Sequence, residues 1–221
     1  MVLDDLIFEV GRGCNMQCAH CLRGEAQNVQ MQNDCIDKVL ENVELINSLI
    51  LSGGEPMMYP DIIEYIINKI IERKISVMSF FIATNGSISS EKVAMALVRL
   101  YSWAYEKECC ELKISADKYH TNNLEVIDFW KMFSFTYVDS SLEDRHLLAE
   151  GRAFDIVGAT RKPSDNGIKM EDEDTVSEGI IYVNALGDIL TGCDYSYESQ
   201  QWKSHGNIYD SDFCDIIRSI V

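Results

Sequence analysis

Apolar residues along this chain fall into two kinds of pattern, short continuous runs and longer stretches that repeat at helical spacing. Leu6-Ile7-Phe8-Glu9-Val10 is a run of the first kind, stopped by Gly11-Arg12-Gly13. It predicts a buried strand followed by a loop. From Asn33 or Asp34 as N-cap, Ile36, Val39, Leu40, Val43 and Ile46 recur as one helical face. Leu49-Ile50-Leu51 predicts a second strand, ended by Ser52-Gly53-Gly54-Glu55-Pro56. A helix starting near Pro60 carries the stripe Ile62, Ile63, Ile66, Ile67, Ile70 and Ile71. Ile75 to Ala83 predicts a third strand, closed by Thr84-Asn85-Gly86, and Ser89 or Ser90 caps a third helix with Val93, Leu97, Val98 and Leu100 inward. Leu112 to Ser115 predicts a fourth strand running into Asp117-Lys118-Tyr119-His120, Asn123 to Phe133 a fourth helix, and Phe135 to Val138 a fifth strand.

The pattern assigns no element between Ser140 and Ala159. Arg161 to Thr175 is polar and predicts a mobile surface loop, either a lid that orders over the pocket or an ordinary disordered loop with no functional link. Ile180 to Asn184 and Asp188 to Leu190 flank Ala185-Leu186-Gly187 as a hairpin, and Asp212 to Val221 predicts a closing helix. Alternating strands and helices imply βαβ units on a parallel sheet, as a barrel or a doubly wound sheet. Ligands of such sheets bind at the carboxyl ends of the strands. The cysteine, Gly-Gly-Glu-Pro, Thr-Asn-Gly and Asp117 loops should therefore surround one pocket.

Composition narrows the function. A net charge of −17 argues against a polyanion-binding surface, without excluding a local basic pocket, and no nucleic-acid partner is expected. No apolar run spans a bilayer, and the acidic start Met1-Val2-Leu3-Asp4-Asp5 lacks the basic flank of a secretory signal. The expected location is cytoplasmic, with no membrane partner. The eight cysteines then point to metal binding or buried thiols in preference to disulfides.

Cys14, Cys18 and Cys21 lie within eight residues as Cys-x3-Cys-x2-Cys, in a polar loop. Three thiolates can hold an iron–sulfur cube and leave one iron open to another ligand. A structural zinc site would need a fourth ligand, from His20 or a distant cysteine. Buried structural cysteines and a single catalytic thiol are the remaining alternatives. Cys35, Cys109 and Cys110 lack partner spacing and are expected to be buried as small apolar residues.

The chain resembles the radical S-adenosylmethionine (SAM) superfamily in three motifs, in order and each at a strand end: the three-cysteine loop, Gly53-Gly54-Glu55-Pro56, and Thr84-Asn85-Gly86. The resemblance covers Leu6 to Asp117 well and the rest weakly. It implies a partial (β/α)6 TIM-type barrel over residues 1–160, with residues 161–221 a polar loop and a short C-terminal hairpin and helix extension that is not an independent domain. It implies a [4Fe–4S] cluster on Cys14, Cys18 and Cys21, SAM on the open iron, and a flavodoxin- or ferredoxin-like reductant. SAM would then be cleaved to a 5′-deoxyadenosyl radical that takes hydrogen from a substrate.

Gly53 and Gly54 would let the backbone approach the ligand, Glu55 would accept the SAM ammonium, and Pro56 would fix the turn. Asn85 would meet the ribose or methionine part, and Ser115 and Asp117 the carboxylate and ribose hydroxyls. His20 would pack near the adenine, and His120 would sit at the rim. Gly151-Arg152-Ala153 resembles a segment of family members with SPASM or twitch extensions, and Arg152 would pair with the SAM carboxylate. Gly187 to Cys193 and Gly206 to Tyr209 resemble the start of such an extension. Only Cys193 and Cys214 remain there, too few for an auxiliary cluster, so Cys193 is expected near the barrel mouth without metal. These features imply a peptide or protein substrate. The alternatives are a small-molecule enzyme of the 7-carboxy-7-deazaguanine synthase type, an activase of glycyl radical enzymes, or a non-catalytic zinc-binding module.

Overall fold

The computed structural model describes all residues except 118, 122, 141–146, 157–158, 160–166 and 221. Five βα-type strands run in chain order: β1 (Val2–Glu9), β2 (Leu45–Ser52), β3 (Ser76–Thr84), β4 (Glu111–Ser115) and β5 (Thr136–Asp139). Helices α1 (Asn33–Val39), α2 (Pro60–Glu72), α3 (Glu91–Trp103) and α4 (Leu124–Trp130) connect them. The remainder is β6 (Ile168–Asp172), β7 (Thr175–Val183), β8 (Asp188–Leu190), α5 (Tyr197–Lys203), β9 (Gly206–Asn207) and α6 (Phe213–Ser219).

The strands form one sheet in the order β5-β4-β3-β2-β1-β7-β8-β9, with β6 paired to β7. β1 to β5 are parallel, and β7 adds a sixth parallel strand on the free side of β1. β6, β8 and β9 run antiparallel to their neighbours. The ends of the described sheet, β5 and β9, do not meet, so the barrel is open, as a partial (β/α)6 barrel requires.

One face of the sheet carries the main core. Leu6, Phe8, Leu49, Leu51, Phe80, Ile82, Leu112 and Ile114 pack there with Ile63, Ile67, Leu97, Leu100 and Trp130 of the helices. Each such side chain taken out of water contributes roughly 1.5–3 kcal/mol. Ile7, Tyr182, Leu190 and Tyr195 form a smaller core on the other face. The helix signals hold where caps are present: Ser90 Oγ accepts from Val93 N and Asn123 Oδ1 from Glu125 N.

Four expectations need correction. The helix from Asn33 ends at Val39, and Ile46 belongs to β2; its N-cap is Gln32, without a side-chain cap bond. Within Arg161 to Thr175, residues 161–166 lie outside the described residues, and Ile168–Asp172 is a strand paired with β7, not a loop. Cys35 and Cys110 are buried, but Cys109 is exposed at the end of a surface 3-10 turn, Lys107–Cys109. Helix α5 lies where no element is expected, and so does a 3-10 turn at Gly151–Asp155. No described helix is long and apolar enough to cross a membrane.

Candidate metal and cofactor site

The cysteine loop leaves β1 at Glu9 and returns on itself. Arg12 N donates to Val29 O (2.9 Å), Gln27 N to Arg12 O (3.1 Å) and Met31 N to Val10 O (3.1 Å). Within it Cys21 N donates to Cys18 O (3.1 Å), and Met16 N to Cys14 Sγ (3.4 Å). The loop after β2 lies directly on it: Gly54 N donates to Gly11 O (2.9 Å) and Glu55 N to Gly13 O (2.9 Å). A Cβ at Gly53, whose φ is +151°, would stand 2.3 Å from Gly11 O, and one at Gly54 2.3 Å from Gly13 O. The close approach these glycines permit is thus to the cysteine loop. Tyr59 OH accepts from Gly13 N at 2.6 Å and donates to Val29 O at 3.3 Å.

Glu55 is 1% exposed. Its Oε1 accepts from Thr84 Oγ1 (2.7 Å) and Met57 N (3.0 Å), and its Oε2 from Asn85 N (2.8 Å). Burial raises its pKa, against these hydrogen bonds, which lower it. The carboxylate therefore ties the loop after β3 to the loop after β2. Pro56 opens the 3-10 turn Pro56–Met58. Asn85 Nδ2 donates to Asn15 Oδ1 (2.9 Å) and stands 4.0 Å from Cys14 Sγ.

Cys14, Cys18 and Cys21 are half-buried free thiols. They line one cavity of about 290 Å3 together with Met16, His20, Leu22, Arg23, Ser52, Gly53, Gly54, Glu55, Ala83, Thr84, Asn85, Ser115 and His120. Burial raises the pKa of the Cys14 and Cys18 thiols. Among the described residues no three Cys, His, Asp or Glu side chains converge on a single metal ion, but three soft sulfur donors lining one cavity are the ligand type of an iron–sulfur cluster, whose irons would take them as thiolates.

Asp117, His20 and Arg152 each have protein partners of their own. Asp117 Oδ1 accepts from Tyr119 N (2.9 Å) and contacts His120 Nδ1 (2.7 Å), so this carboxylate orients the imidazole. His20 lies 4.2 Å from the Tyr119 ring and 5.4 Å, edge-on, from the His120 ring. Arg152 Nε donates to Cys18 O (2.9 Å), its backbone N to Cys21 O (2.9 Å), and its Nη1 to Glu25 Oε1 (3.3 Å). It lines a neighbouring cavity of about 650 Å3, with Arg23, Glu25, Glu150, Phe154 and Glu198 among its walls. Arg23 borders both cavities. Cys193 is half-buried against the smaller core, and burial raises its pKa, with Asp194 adding to the rise and Arg23 opposing it.

A buried ion pair beneath the loop escaped the sequence reading. Glu9 and Arg12 are 0% and 2% exposed. Glu9 Oε1 takes Arg12 Nε at 2.6 Å, and Tyr182 OH donates to Glu9 Oε2 at 2.5 Å. The signal was a glutamate inside an apolar run with an arginine three residues on.

A family model described as the radical SAM superfamily matches residues 8–106. No curated protein sequence gives a significant match. Among solved structures, anSMEcpe with bound AdoMet is 15% identical, covering 98% of this chain and 77% of its own, with a TM-score of 0.48. SuiB of Streptococcus suis is 15% identical, covering 97% of this chain and 65% of its own, with a TM-score of 0.47. SuiB bound to its precursor peptide SuiA is 14% identical, covering 97% and 64%, with a TM-score of 0.48. Residues 8–106, a little under half of the chain, are therefore similar to the radical SAM superfamily, whose cofactors are a [4Fe–4S] cluster and SAM.

Proposed function

We propose that this chain is a radical SAM enzyme, that it holds a [4Fe–4S] cluster on Cys14, Cys18 and Cys21, and that it takes hydrogen from a peptide or protein substrate. The observation that carries the site is the single cavity shared by the three thiols, Gly53, Gly54, Asn85 and Ser115. When bound, the cluster supplies the electron that splits SAM into methionine and a 5′-deoxyadenosyl radical.

The chain's own residues position and shield that chemistry. Gly53, Gly54, Asn85 and Ser115 form the wall against which SAM lies. Glu55 and Pro56 hold the wall's shape. His20, Tyr119 and His120 form an aromatic cluster on which a purine can stack, with Asp117 fixing the His120 ring. Arg152 secures the backbone of Cys18 and Cys21. The electron comes from a flavodoxin- or ferredoxin-like protein. A peptide substrate is supported by the resemblance of Gly151-Arg152-Ala153 and of the Gly187 hairpin to segments of family members with SPASM or twitch extensions.

Protein reconstituted without oxygen should carry about four irons and as much labile sulfide per chain. It should also release 5′-deoxyadenosine under a strong reductant. Cys14→Ala, Cys18→Ala and Cys21→Ala should each lose both properties. Zinc in place of iron, without sulfide, would instead establish the zinc-binding module. The genes beside this one should include a short precursor peptide, which the enzyme should modify as seen by mass spectrometry; a neighbouring peptide returned unmodified would remove the peptide reading.

A further inference from the structure

We propose that Gln200 is a positioning residue for the cysteine loop, acting through the buried Glu9–Arg12 pair, so that the C-terminal hairpin and α5 govern how firmly the loop holds its metal. The inference rests on the reading of Cys14, Cys18 and Cys21 as ligands.

The loop has no helix or strand of its own; Arg152 and Asn85 hold its middle, and its two ends need fastening as well. One guanidinium fastens both ends. Arg12 precedes Cys14 by two residues, and its Nη1 donates to Oε1 of Gln27, beyond Cys21, at 3.1 Å. Its Cζ lies over the Tyr197 ring of α5, 4.7 Å from the centroid. A buried pair of this kind holds only while the remaining donors and acceptors are met.

Those partners come from the far end of the chain. Ala185 N, in the hairpin turn, donates to Glu9 Oε1 (3.1 Å), and Tyr182 OH of β7 donates to Glu9 Oε2. Gln200 touches both ions: its Oε1 accepts from Arg12 Nη2 at 2.6 Å, and its Nε2 donates to Glu9 Oε2 at 3.0 Å. Asn184 Nδ2 also donates to that Oε1, at 3.2 Å. An amide carries donor and acceptor on one planar group. A carboxylate would repel Glu9, and an aliphatic side chain would leave both ions short of a bond.

The test compares Gln200→Leu and Tyr182→Phe with wild type and with Ile66→Val, a fully buried position on α2 in the main core. Two readouts are taken. Amide hydrogen exchange of residues 13–27 is measured in the metal-free protein, and iron release to a chelator in the reconstituted protein. In Gln200→Leu both should accelerate about tenfold. Tyr182→Phe, which keeps the ring and loses one bond, should shift both in the same direction and serves if Gln200→Leu does not fold. Ile66→Val should lower the Tm while leaving both readouts at the wild-type rate. Exchange of residues 13–27 that stays at the wild-type rate in Gln200→Leu and Tyr182→Phe, or that rises equally in Ile66→Val, overturns the inference. Wild-type protein that takes up no iron removes the cofactor reading instead, and the exchange data still decide this one.

Discussion

Glu55→Ala separates two roles for a carboxylate in the Gly-Gly-Glu-Pro loop. A side chain waiting for the SAM ammonium would leave the metal-free protein as stable as before. In the structure both oxygens are already engaged, by Thr84 Oγ1, Met57 N and Asn85 N. Truncation leaves these three donors without their acceptor, at about 1–3 kcal/mol each when buried, less whatever water recovers. A total of about 3–5 kcal/mol follows, or a Tm lower by about 6–20 °C for a chain of this size. Thermal unfolding of metal-free protein without SAM measures it. A Tm within about 2 °C of wild type would refute the argument. Thr84→Val removes one of the three bonds and should cost about 1 kcal/mol. The pH dependence has a definite sign. Burial raises the folded pKa of Glu55 above its ordinary value. The stabilising contribution is then complete below the unfolded pKa and declines as pH rises through the folded one. Wild type should therefore lose stability relative to Glu55→Gln as pH rises through that window.

Gly54→Ala places a Cβ 2.3 Å from Gly13 O, so the cysteine loop must shift; iron content after reconstitution should fall, and wild-type loading would refute this. Arg12→Met leaves Glu9 buried without its cation and should cost about 3–5 kcal/mol by urea unfolding, whereas Glu9→Gln combined with Arg12→Met should recover part of the loss. Cys193→Ser should retain wild-type iron, and a fall to the level of Cys18→Ala would establish a second metal site.

The parallel core was legible because each helix shows its buried stripe and each strand stops at a loop of small polar residues. The boundary between α1 and β2 was not. Ile46 and Leu49 are both buried, three residues apart in β2, and that spacing imitates a helical step. β6 has only Ile168 and Met170 among charged residues, so it reads as loop until β7 is there to pair with it. α5 lacks an apolar stripe: its buried residues are Tyr197 and Gln200, and the latter faces an ion pair. The site divides in the same way. Cysteine spacing and the glycine pair mark their loops locally. The bonds of Glu55, Asp117 and Arg152 run mostly to groups from other loops or to the next turn, which spacing alone does not disclose.

The place of β7 beside β1 has a consequence for how the molecule assembles. Of the described strands β1 precedes the others in the chain and its partner β2 follows within about 40 residues, but its other edge is completed by residues some 175 positions later, as in the pairing of Asp5 with Ile180. Until those residues leave the ribosome, the hydrogen-bonding edge along Leu6, Ile7 and Phe8 has no native strand to meet. A nascent parallel half-sheet of this kind is slow to finish and is a template for pairing with other chains. Synthesis of this protein thus exposes β1 the longest of the described strands, and chaperone capture should act on that edge.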